Sequence, residues 1–177
     1  KADDVQILGA RKPARAKTWS EPFVMADIPG FPDCNPCMLI DPQNRLWLFW
    51  VTIQANEWHT GLLRYKISDR YQKAGAPVWS QEKVLHLKPG EEFTRQVQAS
   101  VDEDMKRLDQ WPVDQRERVR TYLEERRKNS ADHYFNRLGW MPRAHPFVLK
   151  GKRLILPLYS DGFDFSLMAL TDDWGEN

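Results

Sequence analysis

The sequence lacks an excess of either charge, a long apolar run and a set of cysteines. Its 177 residues carry 26 Lys and Arg against 25 Asp and Glu, which leaves a net charge of +1. A dedicated nucleic-acid-binding protein needs a basic surplus or stripe, so we expect no nucleic-acid partner. No apolar run reaches the roughly 18–20 residues that cross a bilayer, so we expect no membrane span. Two cysteines are too few for a disulfide scaffold.

The two cysteines, Cys34 and Cys37, form a C-x-x-C motif around Asn35-Pro36. A redox motif of this kind is followed by a helix in a βαβ unit, whereas strand-forming residues follow this one. A zinc site needs two further ligands, and the sequence holds no second cysteine pair. We therefore predict half-buried thiols or one local disulfide, with no metal and no cofactor.

Tryptophan is abundant: the chain has 8, and hydrophobic residues make up 41% of it. This composition excludes an intrinsically disordered chain. Aromatic rings at this density either fill a β-rich core or line a groove that stacks on flat ligands such as sugar rings. The length suits one domain of roughly 100–200 residues.

Apolar runs bounded by turn residues predict two β-hairpins. The first joins residues 38–40 to 45–51 through the turn Asp41-Pro42-Gln43-Asn44, and the second joins 147–149 to 153–159 through Lys150-Gly151-Lys152. Further strands are predicted at 62–67 and 165–170. The chain is therefore expected to be rich in antiparallel β-sheet.

These segments form two copies of one unit. Asn35-Pro36 precedes the first hairpin and His145-Pro146 the second, while Arg45-Leu46 and Arg153-Leu154 open the second strands. Each copy ends in Ser or Thr followed by Asp, and Trp19-Ser20 and Trp79-Ser80 stand upstream. Four-stranded units that repeat at around 40–50 residues are typical of a β-propeller.

Residues 91–138 interrupt the second copy with a polar stretch of helical character. Ser100 and Glu103 match a capping box, which predicts a helix start ahead of Met105. Trp111-Pro112 breaks the pattern, and residues 113–128 restart it with apolar positions at helical spacing. We predict a helical insertion within the second blade, with a solvated charged face.

The end of the chain resembles an Asp box, the S/T-x-D-x-G-x-x-W turn repeated in sialidases (neuraminidases) and their relatives. The matching run is Thr171-Asp172-Asp173-Trp174-Gly175-Glu176-Asn177. The motif works mechanically, because Asp173 can bond back to backbone amides of the turn and Gly175 supplies a positive φ. Residues 18–22 resemble the tail of such a box, and residues 68–79 a degenerate one.

Residues 33–50 and 139–177 also resemble the sialidase-like propellers with bacterial neuraminidase repeats. The most distinctive stretches are 140–146 and 156–163. The resemblance implies an all-β fold, a partial propeller that is six-bladed in the complete family fold, with the helical insertion. It further implies that residues 1–177 are the N-terminal part of a larger propeller in a secreted or periplasmic protein. The remaining blades or another chain would then cover an open apolar edge.

The resemblance implies hydrolysis of terminal acidic sugars of glycans. Sialidases use a Tyr nucleophile assisted by Glu, an Asp acid/base and three Arg that clamp the substrate carboxylate. A guanidinium suits this clamp because its fork matches a carboxylate bidentately. Asn35-Pro36 stands where the first family Arg would be, and Arg143 is the best carboxylate ligand in this chain. The nucleophile and the other Arg would come from later blades.

Loop and strand-end positions supply the other candidates, and two of the sugar-facing tryptophans are among them. We assign Trp47, Trp50 and Trp19 to the blade core, and Trp58, Trp111 and Trp140 to sugar stacking. The candidate catalytic residues are Glu57, His145 and Asp161, and the candidate substrate-binding residues are Arg143, Trp58, His59, Trp140, Tyr159 and Asp164.

Two other functions stay open at this stage. One is a lyase for uronic-acid polysaccharides, in which Arg143 neutralises the carboxylate while His145 and Tyr159 move protons. The other is a non-catalytic propeller that binds glycans. The candidates also have structural alternatives. Arg143 could pair with a neighbouring Asp, and the role of Asp161 and Asp164 could be limited to forming a turn.

Overall fold

The structure is a computed structural model that describes residues 2–175, and antiparallel β-sheet dominates it. The first sheet is a pair, β1 (Ile7–Gly9) and β2 (Phe23–Ala26). The second sheet is a four-stranded meander of β3 (Asp33–Ile40), β4 (Leu46–Ile53), β5 (Gly61–Ser68) and β6 (Gln81–Val84). The expected β-rich class is thereby confirmed.

The third sheet is a similar antiparallel meander in which four short strands occupy three neighbouring places. Its strands are β7 (Trp140–Pro142), β8 (Phe147–Leu149), β9 (Arg153–Ser160) and β10 (Phe165–Thr171). Both β7 and β8 pair with β9, so they are two parts of one strand interrupted at residues 143–146. Pro157 lies opposite this interruption and has no N–H to donate to a ladder.

Strand register confirms most of the sequence repeat. Leu46 pairs with Ser68 in the second sheet as Leu154 pairs with Thr171 in the third. The alignment fails at one point, because Asn35 and His145 are not equivalent. The bulge at Asn35-Pro36 lies opposite Trp50, whereas Pro142 lies opposite the matching residue, Leu158. His145 follows three residues later, inside the longer interruption.

The strand after Trp79-Ser80 belongs to the second sheet. Residues Gln81–Val84 pair with β5, and the helices that follow connect the second sheet to the third. The sequence repeat, in which Trp-Ser stands upstream of each hairpin, instead predicts this strand at the start of the second copy. A meander explains the difference, because its fourth strand is the next one along the chain, and this one is an exposed polar edge strand.

Three helices lie between β6 and β7: α1 (Glu91–Met105), α2 (Arg116–Ala131) and α3 (His133–Arg137). The predicted start at Ser100 is wrong, because α1 begins nine residues earlier. Val97 and Val101, one turn apart, are buried against the sheets and hold this earlier part in the helix. The break at Trp111-Pro112 is confirmed.

The core forms on both faces of β4, whose eight residues are all buried. Trp47 and Phe49 pack in one cluster with residues of the third sheet and the helices, while Leu48 and Trp50 pack against the β1–β2 pair. Trp47 and Trp50 are core residues as predicted. Trp19 is not: its side chain is 65% exposed. The three sheets therefore stack in layers around β4.

The turn after β10 has the hydrogen bonds expected of an Asp box. The Asp173 carboxylate accepts from the Gly175 amide at 3.0 Å, and the Thr171 hydroxyl donates to the same carboxylate at 2.6 Å. Gly175 has a φ of +74°. The mechanics predicted for this motif are confirmed up to Gly175, while residues 176 and 177 lie outside the described residues.

The outer face of the third sheet is apolar and open to solvent. Met168 and Leu170 are 52% and 56% exposed. Their register equivalents in the second sheet, Tyr65 and Ile67, are buried in the cluster that includes the third sheet. The face of the third sheet that carries Met168 and Leu170 is thus exposed, whereas the equivalent face of the second sheet is buried. In residues 2–175, no helix is long and apolar enough to cross a membrane.

Candidate functional site

Several candidates lie at one end of the second and third sheets. The loops after β4 (residues 54–60) and after β9 (residues 161–164) occupy this end, as does the start of β7. Antiparallel pairing explains this placement, because alternate strands end together. The hairpin turns at residues 41–44 and 150–152 and the Asp-box turn lie at the opposite end.

The loop at residues 54–60 is organised by Thr60. The buried Thr60 hydroxyl donates to the Glu57 carbonyl at 2.7 Å and accepts from the amides of Gln54 (3.2 Å) and Ala55 (3.0 Å). This arrangement leaves Glu57 exposed and Trp58 half-buried. Trp58 packs with Val51, Ile53, Met141 and Tyr159 in one apolar cluster. The loop therefore presents an acid beside an aromatic ring.

His59 is half-buried against the helical segment. Its ring centroid lies 6.5 Å from that of Tyr134 and 6.0 Å from that of Phe135. Just after α3, the Gly139 amide donates to the Gly61 carbonyl at 2.8 Å. These contacts dock the helices onto the loop and give His59 a packing role.

We expect Gly139→Ala to destabilise the fold by about 2–4 kcal/mol. Gly139 has a φ of +75°, and an added Cβ would lie 2.9 Å from the His59 Cα. Denaturant unfolding measures the effect. Gly75→Ala is the matched control, because Gly75 has a φ of +80° but an added Cβ there would have no atom of the described residues within 4 Å. Equal losses in both variants would contradict the tight approach.

A chain of contacts joins Arg143, Tyr159, Asp164 and Tyr122. The Arg143 guanidinium carbon lies 5.4 Å from the centroid of the Tyr159 ring, within cation–π range. The Tyr159 hydroxyl donates to the Asp164 carboxylate at 3.2 Å, and the Tyr122 hydroxyl donates to its other oxygen at 2.8 Å. Predicted residues from one strand, one loop and the interruption between β7 and β8 are thus brought together, and α2 adds a fourth residue.

Arg143 has no carboxylate partner in the described chain, although ion pairs are common elsewhere in it. Its side chain is exposed, in the interruption between β7 and β8. The structural alternative, a pair with a neighbouring Asp, is therefore not what residues 2–175 show. A guanidinium held over an aromatic ring with its N–H groups open is suited to bind an external carboxylate.

Both tyrosines at Asp164 have raised pKa values. Burial, followed by the hydrogen bond to Asp164, raises the pKa of Tyr122 to about 12. The pKa of Tyr159 is raised by desolvation, by its hydrogen bond to Asp164 and by the charges of Asp164 and Asp161, against a lowering by Arg143. At neutral pH both hydroxyls are therefore protonated and act as donors.

The raised pKa of Tyr122 predicts a loss of stability in strong base. The folded-state pKa of about 12 lies above the ordinary 10.0, so this contribution to stability is complete below pH 10 and falls as the pH rises towards 12. Titration of tyrosinate by ultraviolet absorbance should show a late-titrating group that Tyr122→Phe removes. Removal of a group that titrates near pH 10 would contradict the Tyr122–Asp164 bond.

Trp140 and His145 lie outside this chain of contacts. Trp140 is fully buried, stacks on Phe163 at 6.0 Å and donates its indole N–H to the Asn136 carbonyl, so no face of its ring is open to a sugar. His145 is exposed, with Nδ1 2.6 Å from the Pro146 carbonyl oxygen. It lines a cavity of about 420 Å³ beside β1 and β3.

The cysteines and the acidic groups form no metal centre in the described chain. Cys34 and Cys37 are half-buried thiols that form no disulfide within residues 2–175, and burial raises the pKa of Cys37 to about 12. Residues 2–175 hold no group of three His, Cys, Asp or Glu placed to bind one ion. The prediction of half-buried thiols is confirmed.

Tyr122 is the site residue that sequence reasoning missed. Its spacing with Val119 and Leu123 marks it as part of an apolar helix face, and nothing local indicates that its hydroxyl reaches Asp164, 42 positions away. The only local signal is a tyrosine in place of an aliphatic residue at an apolar position.

Comparison with protein-family models gave no match for this chain, and comparison with curated proteins gave no relative.

Proposed function

We propose that this protein is a sialidase-like glycoside hydrolase that acts on terminal acidic sugars of glycans. The observation that carries the proposal is Arg143, exposed, without a carboxylate partner in residues 2–175 and held 5.4 Å over the Tyr159 ring. A guanidinium fork binds a sugar carboxylate bidentately and holds the ring through an oxocarbenium-like transition state.

The proposed roles follow from exposure and hydrogen bonding. Glu57 and Asp161 are exposed carboxyl groups on the two loops at this end, and either can protonate a leaving oxygen. Asp164 orients the Tyr159 hydroxyl. Trp58, which packs against the same apolar cluster as Tyr159, offers an aromatic edge to the sugar. His145 is exposed, and we propose that it transfers a proton.

We also propose that the sheets are blades of a larger β-propeller. Two lines of support are the in-register repeat of the second and third sheets and their face-to-face packing. A third is the open face at Met168 and Leu170, which matches a face covered in the second sheet. A further meander, on this chain or a partner, is the occupant that this repeat favours.

A glycan-binding protein without catalysis is the second candidate. Its support is that the pKa of Tyr159, the ring beneath Arg143, is raised by desolvation and by its hydrogen bond to Asp164, so this hydroxyl stays protonated at neutral pH and is a poor nucleophile. The lyase is less favoured, because a tyrosine with a raised pKa is a poor base at neutral pH.

The test uses the full-length protein with a fluorogenic sialoside and, separately, a uronic-acid oligosaccharide. Release of the fluorophore supports the hydrolase. An unsaturated product that absorbs in the near ultraviolet supports the lyase and overturns the hydrolase. Binding of an acidic sugar without turnover of either substrate supports the second candidate.

A further inference from the structure

A further cavity, lined by both charged and apolar side chains, lies within the helical segment. It encloses about 280 Å³ between the end of α1, the turn at Leu108–Gln110 and α2. Its polar and aromatic lining consists of Trp111, Arg126, Arg107, Gln110, Tyr122 and Asp104. Apolar Val119 and Leu123 complete the lining. A concave site with a mainly apolar and aromatic lining and a few convergent polar groups has the character of a small-molecule binding site.

Trp111 is exposed, yet its backbone is held firmly. Its side chain is 46% exposed. The Arg116 guanidinium donates to the Trp111 carbonyl at 2.9 Å and to the Asp109 carbonyl at 2.5 Å. The backbone that carries this exposed indole is already ordered in the free protein. Stacking of a ligand on the indole therefore costs less conformational entropy of the backbone.

Arg126 supplies an unsatisfied donor in the same cavity. Its side chain is only 15% exposed, and its nearest ion pair in the described chain is long, at 4.0 Å to Asp104. Its Nε is buried and has no hydrogen-bond partner within residues 2–175. The guanidinium carbon lies 5.2 Å from the Phe165 ring centroid, which holds the group in place. A buried N–H of a charged group without a partner is costly, and an acceptor brought by a ligand would remove that cost.

We propose that this cavity binds a second acidic sugar of the same glycan. The sugar's apolar face would stack on Trp111, its carboxylate would accept from Arg126 and Arg107, and Asp104 and Gln110 would bond its hydroxyls. Asp104 argues against a polyphosphate, because its charge repels one. The inference rests on the proposed function.

Tyr122 connects the two sites. It lines this cavity, and its hydroxyl donates to Asp164, which also accepts from Tyr159 beneath Arg143. Exposed or half-exposed side chains therefore link the two carboxylate sites, which suits an oligosaccharide with acidic sugars in sequence. The helical segment, on this account, selects longer acidic glycans over single sugars.

The experiment measures the affinities of the full chain for sialic acid and for a dimer of sialic acid by calorimetry. We expect the dimer to bind about tenfold more tightly, as one added charge-assisted hydrogen bond would give. Trp111→Ala and Arg107→Gln should each lower dimer affinity to the monomer level and leave the monomer unaffected. Trp19→Ala, at another exposed indole, is the matched control and should change neither.

The outcomes separate this inference from the proposed function. Suppose that Arg143→Gln weakens monomer binding. If the dimer then binds no more tightly than the monomer, or if it still binds more tightly in Trp111→Ala, the cavity is not a sugar site while the proposed site stands. If the dimer's advantage depends on Trp111 but Arg143→Gln leaves monomer binding unchanged, the proposed site fails and the cavity stands. Binding of neither sugar overturns both.

Discussion

Arg143→Gln should weaken binding of sialic acid by about 10- to 100-fold, the equivalent of one or two charge-assisted hydrogen bonds. The exposed guanidinium has no carboxylate partner in residues 2–175, so its removal breaks no internal ion pair. The fold should therefore keep its stability while affinity falls. Calorimetric titration and thermal unfolding of the same variant measure both quantities.

Two further variants make this test specific. Arg143→Lys keeps the charge but loses the bidentate fork, and we expect it to recover only part of the affinity. Arg70→Gln is the control, since Arg70 is also an exposed arginine, with a 3.9 Å contact to Asp69. An equal loss of affinity in Arg143→Gln and Arg70→Gln would reduce the role of Arg143 to general charge and contradict the site.

Asp33→Ala should cost about 4 kcal/mol of folding free energy. The buried Asp33 carboxylate accepts from the Trp50 indole at 2.9 Å, the Thr52 hydroxyl at 2.6 Å and the Ile28 amide at 2.7 Å. Alanine leaves these donors without an acceptor in the core beside β4. Denaturant unfolding measures the loss.

The isosteric variant separates hydrogen bonding from packing. Asp33→Asn keeps one oxygen that can accept from Trp50 and Thr52, so it should cost about 1–2 kcal/mol. Asp69→Ala, at an exposed aspartate, should cost almost nothing. If Asp33→Ala were as mild as Asp69→Ala, the buried network would not anchor the start of β3.

Local patterns predicted the hairpins because turn chemistry and apolar runs act over a few residues. The Asp41 turn is an example: its carboxylate accepts from the Arg45 amide four residues on, at 2.9 Å. The start of α1 was missed for a complementary reason. Gly90 precedes the helix without a side-chain cap, and burial of Val97 and Val101 against the sheets, a tertiary effect, sets where the helix extends.

The tryptophans show the limit of composition as evidence. Trp140 and Trp58 are both predicted from the sequence to stack on sugars, yet Trp140 is sealed behind Phe163 and the helices while Trp58 is half-buried on a loop. Which ring faces solvent depends on how the helical segment folds over the sheets. Likewise, Arg143 was predictable as a candidate, but its position over Tyr159 depends on the interruption opposite Pro157.

The central claim is that Arg143 binds the carboxylate of an acidic sugar, and nuclear magnetic resonance of its guanidinium tests this directly. The Nε–Hε resonance of Arg143, assigned as the one missing in Arg143→Gln, is followed during titration with sialic acid. The claim predicts a saturable shift with sialic acid and none with its methyl ester, which lacks the charge. A resonance that stays in place with sialic acid, or moves equally with the ester, would contradict it.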